Sequence, residues 1–339
     1  MAGVETAKRR KQQFGESVLV TGASGFLGTK LVERLAVREQ VYSLARRPGP
    51  LDSESVMVDL TNGEEVVRAL EKVPFAYCIH AAALADPDLC EKSPESAWRI
   101  NVEGTRNLVE ICRAHRRKLV LLSTDYVFDG RKNGLYTEED PVCPVQVYGQ
   151  TKAVAERLVL ELPENLVIRL PFLFGYTSAP ERRDFATDTA YRLWTEQRYP
   201  YDHRQLRTPL LREEAAEAIA LLAGSPSSGI YHLAPSESAT KYEFARVLAQ
   251  CLGKPLDLIL EKTAEVPAGC ARRPMSMRLS NAKFLQAASG RFHFRPLRDA
   301  IARVAEEFRN AQEPSGCRGH SGQTQPKTYG GSYDQDAGR

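Results

Sequence analysis

The stretch that decides the fold is SVLVTGASGFLG, residues 17–28. Its first five residues are a β-rich apolar run, and a helical spacing of apolar residues follows the glycines. In such a turn Gly22 permits a tight bend, Gly25 lets the backbone approach a pyrophosphate, and Gly28 lets helix and strand pack closely. The start of the helix then presents unpaired N–H groups to phosphate oxygens. We therefore predict a dinucleotide-binding loop made of Gly22, Ser24, Gly25, Phe26, Leu27 and Gly28.

Strand and helix patterns alternate on the C-terminal side of this loop. The further strand patterns are residues 41–45, 56–60, 77–83, 119–123 and 166–174. Alternation of this kind predicts parallel β-α-β units, and strands that are apolar on both faces are buried between layers of helices. The predicted fold class is α/β, a doubly wound parallel Rossmann sheet with a smaller C-terminal substrate-binding lobe.

The composition divides the chain into four segments. Residues 1–16 are predicted to be a polar N-terminal arm, and residues 17–175 an NAD(P)-binding Rossmann domain. Residues 176–311 are predicted to be the substrate-binding lobe, with segments that return to the Rossmann domain. Residues 312–339 contain almost nothing to bury, which predicts a disordered tail.

The second predicted strand ends in Arg46 and Arg47, without an acidic residue. An Asp or Glu about twenty residues after the glycines binds the ribose hydroxyls of NAD in many such sites. Guanidinium groups instead match the geometry of a phosphate. The sequence therefore predicts NADP(H) as the preferred cofactor, with NAD(H) as the other candidate. The alternative is that the two arginines are a solvated surface pair.

The overall composition excludes several classes of protein. Among 339 residues, 42% are hydrophobic and 26% charged, and the net charge is only +3, so no nucleic acid or membrane partner is expected. No apolar run is long enough to span a bilayer. The seven cysteines lack metal-like spacing and indicate free thiols in a cytoplasmic protein, so no metal site is predicted.

The ordered set of motifs resembles the extended short-chain dehydrogenase/reductase family. The glycine loop matches its T-G-x-x-G-x-x-G, Tyr148 to Lys152 match its Y-x-x-x-K, and residues 101–105 (NVEGT) look like its N-x-x-G-T helix. The resemblance implies further cofactor-binding residues beyond the loop. They are Asp59 and Leu60 near the adenine, Ala81, Ala82 and Ala83 beside the cofactor, and Asn101, Tyr148 and Lys152.

Within that family the run STDYVFDG, residues 123–130, resembles the dTDP-4-dehydrorhamnose reductases. The methionine adenosyltransferase regulatory β subunit is similar too. The resemblance implies that Asp125 and Tyr126 contact a nucleotide-sugar substrate. Their alternative roles are a loop-capping carboxylate and a packed ring. Arg207 is a candidate for the substrate phosphate, or else belongs to a surface loop.

Three residues form the predicted catalytic set, namely Thr124, Tyr148 and Lys152. Tyr148 and Lys152 are four residues apart on a predicted helix and therefore share a face. A phenol titrates near ~10, and we expect the neighbouring ammonium and an oxidised nicotinamide to lower that pKa. Tyr148 would then protonate a carbonyl oxygen, while Thr124 orients it by a hydrogen bond.

Three functions remain open at the level of sequence. The first is NAD(P)H-dependent reduction of a 4-keto nucleotide-sugar. The second is epimerisation of a sugar nucleotide, or another keto reduction, on the same fold. The third is a cofactor-binding regulatory subunit without turnover, because one fold hosts many functions. Each of the three is compatible with a homodimer.

Overall fold

The computed structural model describes residues 17–46, 49–50, 53–178, 184–263 and 269–312. Seven parallel strands form its central sheet. In chain order they are β1 (Ser17–Thr21), β2 (Gln40–Ala45), β3 (Glu54–Met57), β4 (Tyr77–His80), β5 (Lys118–Thr124), β6 (Leu166–Leu170) and β11 (Gly229–His232). Their spatial order is β11-β6-β5-β4-β1-β2-β3. This is the doubly wound topology that the alternating pattern predicted.

Helices follow most strands. They are α1 (Gly28–Leu35), α2 (Gly63–Leu70), α3 (Pro87–Lys92), α4 (Pro94–Trp98), α5 (Gly104–Ala114), α6 (Val147–Val159), α7 (Phe185–Trp194), α8 (Arg212–Ala223), α9 (Lys241–Leu252), α10 (Ala282–Ala288) and α11 (Leu297–Gln312). A π-helical turn, Arg99–Glu103, joins α4 to α5. The helical path from Pro94 to Ala114 thus contains one irregular turn.

Two apolar layers cover the sheet, one on each face. On one face Val18 and Val20 of β1 pack with side chains of α1 and α8. On the other face Leu19 packs with α2, α5 and α6. Because successive residues of a strand point to opposite faces, a strand that is apolar throughout is buried on both sides.

The chain after β6 builds a second, smaller core from α7, α9 and α11. Six short strands pair as three parallel ribbons beside it. They are β7 (Leu173–Phe174) with β10 (Leu210–Leu211), β8 (Tyr199–Asp202) with β12 (Ile259–Lys262), and β9 (Leu206–Arg207) with β13 (Ser276–Met277). β11 joins the central sheet, and α8 packs against it.

Several predicted boundaries differ from the structure. The predicted strand 166–174 is split into β6 and β7, because Pro171 lacks the N–H needed to continue a ladder. The fourth strand ends at His80 and not at Ala83, and the third is Glu54–Met57 and not 56–60. The predicted arm, residues 1–16, lies outside the described residues. So does the predicted tail apart from Gln312, the last residue of α11.

Candidate functional site

The site forms where the loops after β1, β4 and β5 meet at the carboxyl ends of the strands. β1 and β4 are neighbours in the sheet, and the chain winds away from this point in both directions. Such a switch point opens a crevice for ligands. Gly22 has a left-handed φ of +67°, and a Cβ there would lie 2.7 Å from the Ala82 nitrogen. A Cβ on Gly28 would lie 2.0 Å from the Gly22 carbonyl oxygen. Only glycine allows this packing.

The predicted adenosine end lies after β2 and β3. Arg46 is exposed at the end of β2, while Arg47 lies outside the described residues. Asp59 accepts hydrogen bonds at Oδ1 from the backbone and hydroxyl of Thr61, both at 2.9 Å. The backbone hydrogen bond is the main cause that lowers the pKa of Asp59, and the charge of Arg46 adds to it. Leu60 is buried next to Asp59, so these residues share one edge of the sheet.

His80 links the glycine loop to the π turn. Its Nδ1 lies 2.7 Å from the Thr21 hydroxyl, and its Nε2 lies 3.0 Å from the Thr105 hydroxyl. Because Thr105 donates its proton to the Asn101 carbonyl oxygen, His80 donates from Nε2 and accepts at Nδ1. Burial, followed by the charge of Lys152, lowers the pKa of His80 to about 3. The neutral His80 ring therefore has a structural role, since its two hydrogen bonds join Thr21 to Thr105.

Both polar atoms of the Asn101 side-chain amide form hydrogen bonds with other groups of the protein. Its Oδ1 accepts from the Leu84 nitrogen at 2.8 Å, and its Nδ2 donates to the Leu84 carbonyl and to the Thr151 hydroxyl. Thr151 in turn donates to the carbonyl of Tyr148 at 2.7 Å. Asn101 therefore holds the loop that follows Ala81, Ala82 and Ala83 against α6.

Tyr148 and Thr124 are brought together by an unusually close helix contact. A Cβ on Gly149 would lie 2.1 Å from the Tyr126 carbonyl oxygen, so α6 rests on the turn that follows β5. The Thr124 hydroxyl lies near the Tyr148 phenol as a result, and it opposes the rise in the pKa of Tyr148. The ring of Tyr126 meets that of Tyr148 edge-on, with centroids 6.2 Å apart.

The pKa of Tyr148 is raised by the protein, and the expectation that it is lowered is wrong for these surroundings. Burial is the largest cause, and the negative charge of Asp125 is the second. Sequence reasoning weighed the Lys152 charge but had no measure of burial. The consequence is a neutral phenol, which is the form that a proton donor needs.

Lys152 lies one helical turn after Tyr148 in α6, and only 1% of its surface is exposed. Burial lowers its pKa to about 8, while the carboxylate of Glu156 opposes this shift. Glu156 is held by the Ser123 hydroxyl at 2.5 Å and by Arg169 at 2.8 Å. Lys152 therefore carries a charge near neutral pH in a site that disfavours it.

The three predicted substrate residues also lie together. Thr124 donates to Asp125 Oδ1 at 3.2 Å, and the guanidinium of Arg207 lies 5.8 Å from the centroid of the Tyr126 ring. Burial raises the pKa of Asp125 to about 6, although the positive charge of Arg207 opposes the shift. Arg207 is 6% exposed, which excludes an exposed surface loop as its setting.

Two further cations stand at this end of the crevice, and the sequence did not identify them as site residues. The positive charges of Arg207 and Arg273 lower the pKa of Lys241, after burial, and the charge of Arg273 also acts on Tyr126. Arg273 pairs with Asp88 at 2.9 Å. The R-P-M-S motif at residues 273–276 was the available signal for Arg273, whereas the sequence offered none for Lys241.

The described residues lack two further kinds of feature. None of the described helices is long and apolar enough to cross a membrane. The described part of the chain also contains no cluster of histidine, cysteine and carboxylate side chains suited to a metal ion.

The chain is similar in sequence to several known proteins. It is 32% identical over 246 residues to the probable low-salt glycan biosynthesis reductase Agl14 of Haloferax volcanii, with 71% of this chain and 81% of the relative covered. It is 32% identical to methionine adenosyltransferase 2 subunit beta of Rattus norvegicus, with coverage of 78% and 80%. It is 32% identical to a dTDP-4-dehydrorhamnose reductase of Streptomyces griseus, with coverage of 86% and 92%.

Solved structures share the fold. A hypothetical dTDP-4-dehydrorhamnose reductase from Sulfolobus tokodaii superposes with a TM-score of 0.75 at 28% identity, covering 84% of this chain and 98% of that one. The UDP-glucose 4-epimerase of Thermus thermophilus in complex with NAD gives a TM-score of 0.76 at 25% identity, with coverage of 87% and 99%. The family model for the RmlD substrate binding domain matches residues 16–310. The glycine loop, the Tyr148 helix and the second lobe all fall within that match, and the chain belongs to the RmlD substrate-binding domain family.

Proposed function

We propose that the protein is an NAD(P)H-dependent reductase that converts a 4-keto nucleotide-sugar to the corresponding alcohol. The observation that carries the proposal is that Thr124, at the end of β5, lies near Tyr148, with Lys152 one turn further along the same helix, at the edge of the sheet where the glycine loop lies. The reductases among its relatives support the same reaction class.

The cofactor fits residues that are already in place. Gly22, Gly25 and Gly28 leave room for the backbone approach that a pyrophosphate needs, and Lys152 would hold the nicotinamide ribose. Arg46 and Arg47 support a preference for NADPH, since no acid ends β2. Comparison of the dissociation constants of NADPH and NADH tests that preference.

The bound nicotinamide supplies the hydride. Tyr148 donates its phenolic proton to the carbonyl oxygen as the carbon is reduced, and the neutral phenol is suited to this step. Thr124 orients the same oxygen through its hydroxyl. Lys152, as an ammonium, offsets the negative charge that Tyr148 then carries.

The substrate end of the crevice carries the charges that a nucleotide-sugar needs. Asp125 and Tyr126 would bind sugar hydroxyls, and Arg207, with Lys241 and Arg273, would supply positive charge for a diphosphate. We propose that residues 17–175 hold the cofactor and residues 176–311 the substrate. An NADPH-oxidation assay with dTDP-4-dehydro-6-deoxymannose tests this reading, and a UDP-sugar tests the epimerase alternative.

A second candidate is a regulatory subunit that binds a dinucleotide without turnover. The 32% identity to methionine adenosyltransferase 2 subunit beta favours it. A reductase requires the Tyr148 hydroxyl as its proton donor, whereas a regulatory subunit without turnover does not. A partner captured by the purified protein, together with absent reductase activity, would support this second candidate.

Replacing Tyr148 with Phe separates the two. The variant loses one hydroxyl and little volume, so NADPH binding should persist. Reduction should fall by ~10²–10⁴-fold, as is typical for loss of a general acid. Single-turnover oxidation of NADPH measures this, with the NADPH dissociation constant as control. The regulatory-subunit hypothesis would be favoured over the reductase by two results together. The unmodified protein would reduce no 4-keto sugar, and Tyr148→Phe would keep the full partner-dependent activity.

A further inference from the structure

Arg212 is a buried arginine that reaches the glycine loop from the second half of the chain. It is 6% exposed and opens α8. Its Nη1 donates to the carbonyl oxygen of Phe26 at 3.4 Å, and its guanidinium carbon lies 4.6 Å from the centroid of the Phe26 ring. One side chain therefore holds both the backbone and the ring of the residue at the tip of the loop.

The same guanidinium is fixed on its other side. Its Nη2 donates to the Tyr176 carbonyl at 2.7 Å and to Glu213 Oε1 at 2.9 Å. The second carboxylate oxygen of Glu213, Oε2, is buried and has no hydrogen-bond partner among the described residues. Gly175 makes room for this pair, since a Cβ there would lie 3.2 Å from Arg212. The planar fork is thus held on three sides, at Phe26, Tyr176 and Glu213.

The loop that Arg212 holds is the one that must stay in place for a phosphate to bind. Phe26 and Leu27 lie directly before α1, where backbone N–H groups lack helical partners and the helix dipole is positive. Fixing the Phe26 carbonyl and ring restricts the peptide planes on either side. A guanidinium at this point also adds positive charge next to the loop.

We propose that Arg212 is a positioning residue for the cofactor pyrophosphate, coupling the chain after β7 to the glycine loop. The proposal rests only on the cofactor part of the proposed function. It does not require turnover. It also differs from a purely structural role, because it concerns one ligand and not the whole fold.

The test compares NADPH binding, dTDP binding and thermal unfolding in three variants of the full-length protein. Arg212→Met removes the charge and the donors but keeps an apolar stem. Arg212→Lys keeps the charge and loses the fork. The matched control is Arg295→Met, because Arg295 binds Glu214 in the same first turn of α8 at 3.1 Å and, within the described part of the chain, forms no hydrogen bond or ion pair with the glycine loop.

We expect Arg212→Met to weaken NADPH binding about tenfold or more, the loss typical of charge-assisted contacts, while dTDP binding changes less than about twofold. Arg212→Lys should recover part of the affinity, and Arg295→Met should bind NADPH like the unmodified protein.

Three outcomes would overturn the proposal. They are unchanged NADPH affinity in Arg212→Met, parallel losses of NADPH and dTDP binding with a lowered melting temperature, and an equal loss of NADPH binding in Arg295→Met. If Arg212→Met does not fold, the test rests on Arg212→Lys. An NADPH affinity of Arg212→Lys equal to that of the unmodified protein would then overturn the proposal. Failure of the unmodified protein to bind either NADPH or NADH would instead overturn the proposed function.

Discussion

Lys152 is an ammonium held where burial disfavours its charge. Its pKa is about 8 in the folded protein, whereas the ordinary value for a lysine is 10.5. The folded state therefore loses stability as the pH falls from about 10.5 through 8, and the penalty at pH 7 is about 3 kcal/mol. The salt bridge between Glu156 and Arg169 survives without Lys152, so removing the lysine leaves no unpaired carboxylate.

Lys152→Met should therefore raise the melting temperature at pH 7 by several degrees while it abolishes reduction. The gain should shrink at pH 10, where the folded protein holds a neutral amine. Thermal unfolding at both pH values measures it, with the exposed Lys72→Met as control. A lower melting temperature at pH 7 would mean that the ammonium stabilises the fold.

The proposed reduction should depend on pH through two buried groups. Asp125 has a pKa of about 6 and Lys152 of about 8. Below the first value Asp125 is protonated and offers the proposed substrate one acceptor fewer, and above the second Lys152 loses its charge. We expect kcat/KM to be bell-shaped between them. Asp125→Asn should remove the acidic limb and leave the alkaline one. An acidic limb that persists in this variant would assign it to another group.

The three proposed catalytic residues could be predicted from the sequence because each lies in a short local motif. Tyr148 and Lys152 share a helix face, and Thr124 ends a strand that its apolar run marks clearly. Lys241 and Arg212 are different. Their role depends on which distant elements become neighbours, and no spacing in the sequence records that. The raised pKa of Tyr148 was missed for a related reason, since burial is a property of the fold.

Among the elements, α6 depends most on one position. Gly149→Ala would place a methyl group 2.1 Å from the Tyr126 carbonyl oxygen, so the helix must move away from the turn after β5. We expect reduction to fall more than tenfold and the melting temperature to drop, since overpacking costs ~1–3 kcal/mol. The control is Gly134→Ala, because nothing lies within 4 Å of a Cβ there. Full activity in Gly149→Ala would show that the helix contact is dispensable.

The sequence indicates the interior of an element better than its ends. The apolar residues of α8, for example, follow a helical spacing within Arg212 to Ala223. The third strand was misplaced because it is an edge strand with one neighbour, and its exposed residues give no clear alternation. The π turn at Arg99–Glu103 was missed because its apolar spacing continues that of the helices around it.

At the scale of the molecule, α11 closes the core of the second lobe. Its Phe308 and Ile301 are buried among residues of α7 and α9. A chain that ends at Gln312 keeps this helix, and the composition of residues 313–339 offers little to bury. Its melting temperature and NADPH affinity should therefore match those of the whole chain. A chain that ends at Pro296 lacks α11 and serves as the comparison. Its second lobe should not fold, so its melting temperature should be lower. A marked loss in the first truncation would show that residues beyond Gln312 dock.

All pairings between the described strands are parallel, in the central sheet and in the ribbons alike. Parallel neighbours cannot be joined by a tight turn, so each pairing must wait for a distant part of the chain. β6 is complete at Leu170, but its outer neighbour β11 ends at His232. At a synthesis rate of ~5–20 residues per second, a nascent chain therefore carries an apolar strand with one unpaired edge for several seconds. The protein should therefore refold slowly and depend on chaperones most during that interval.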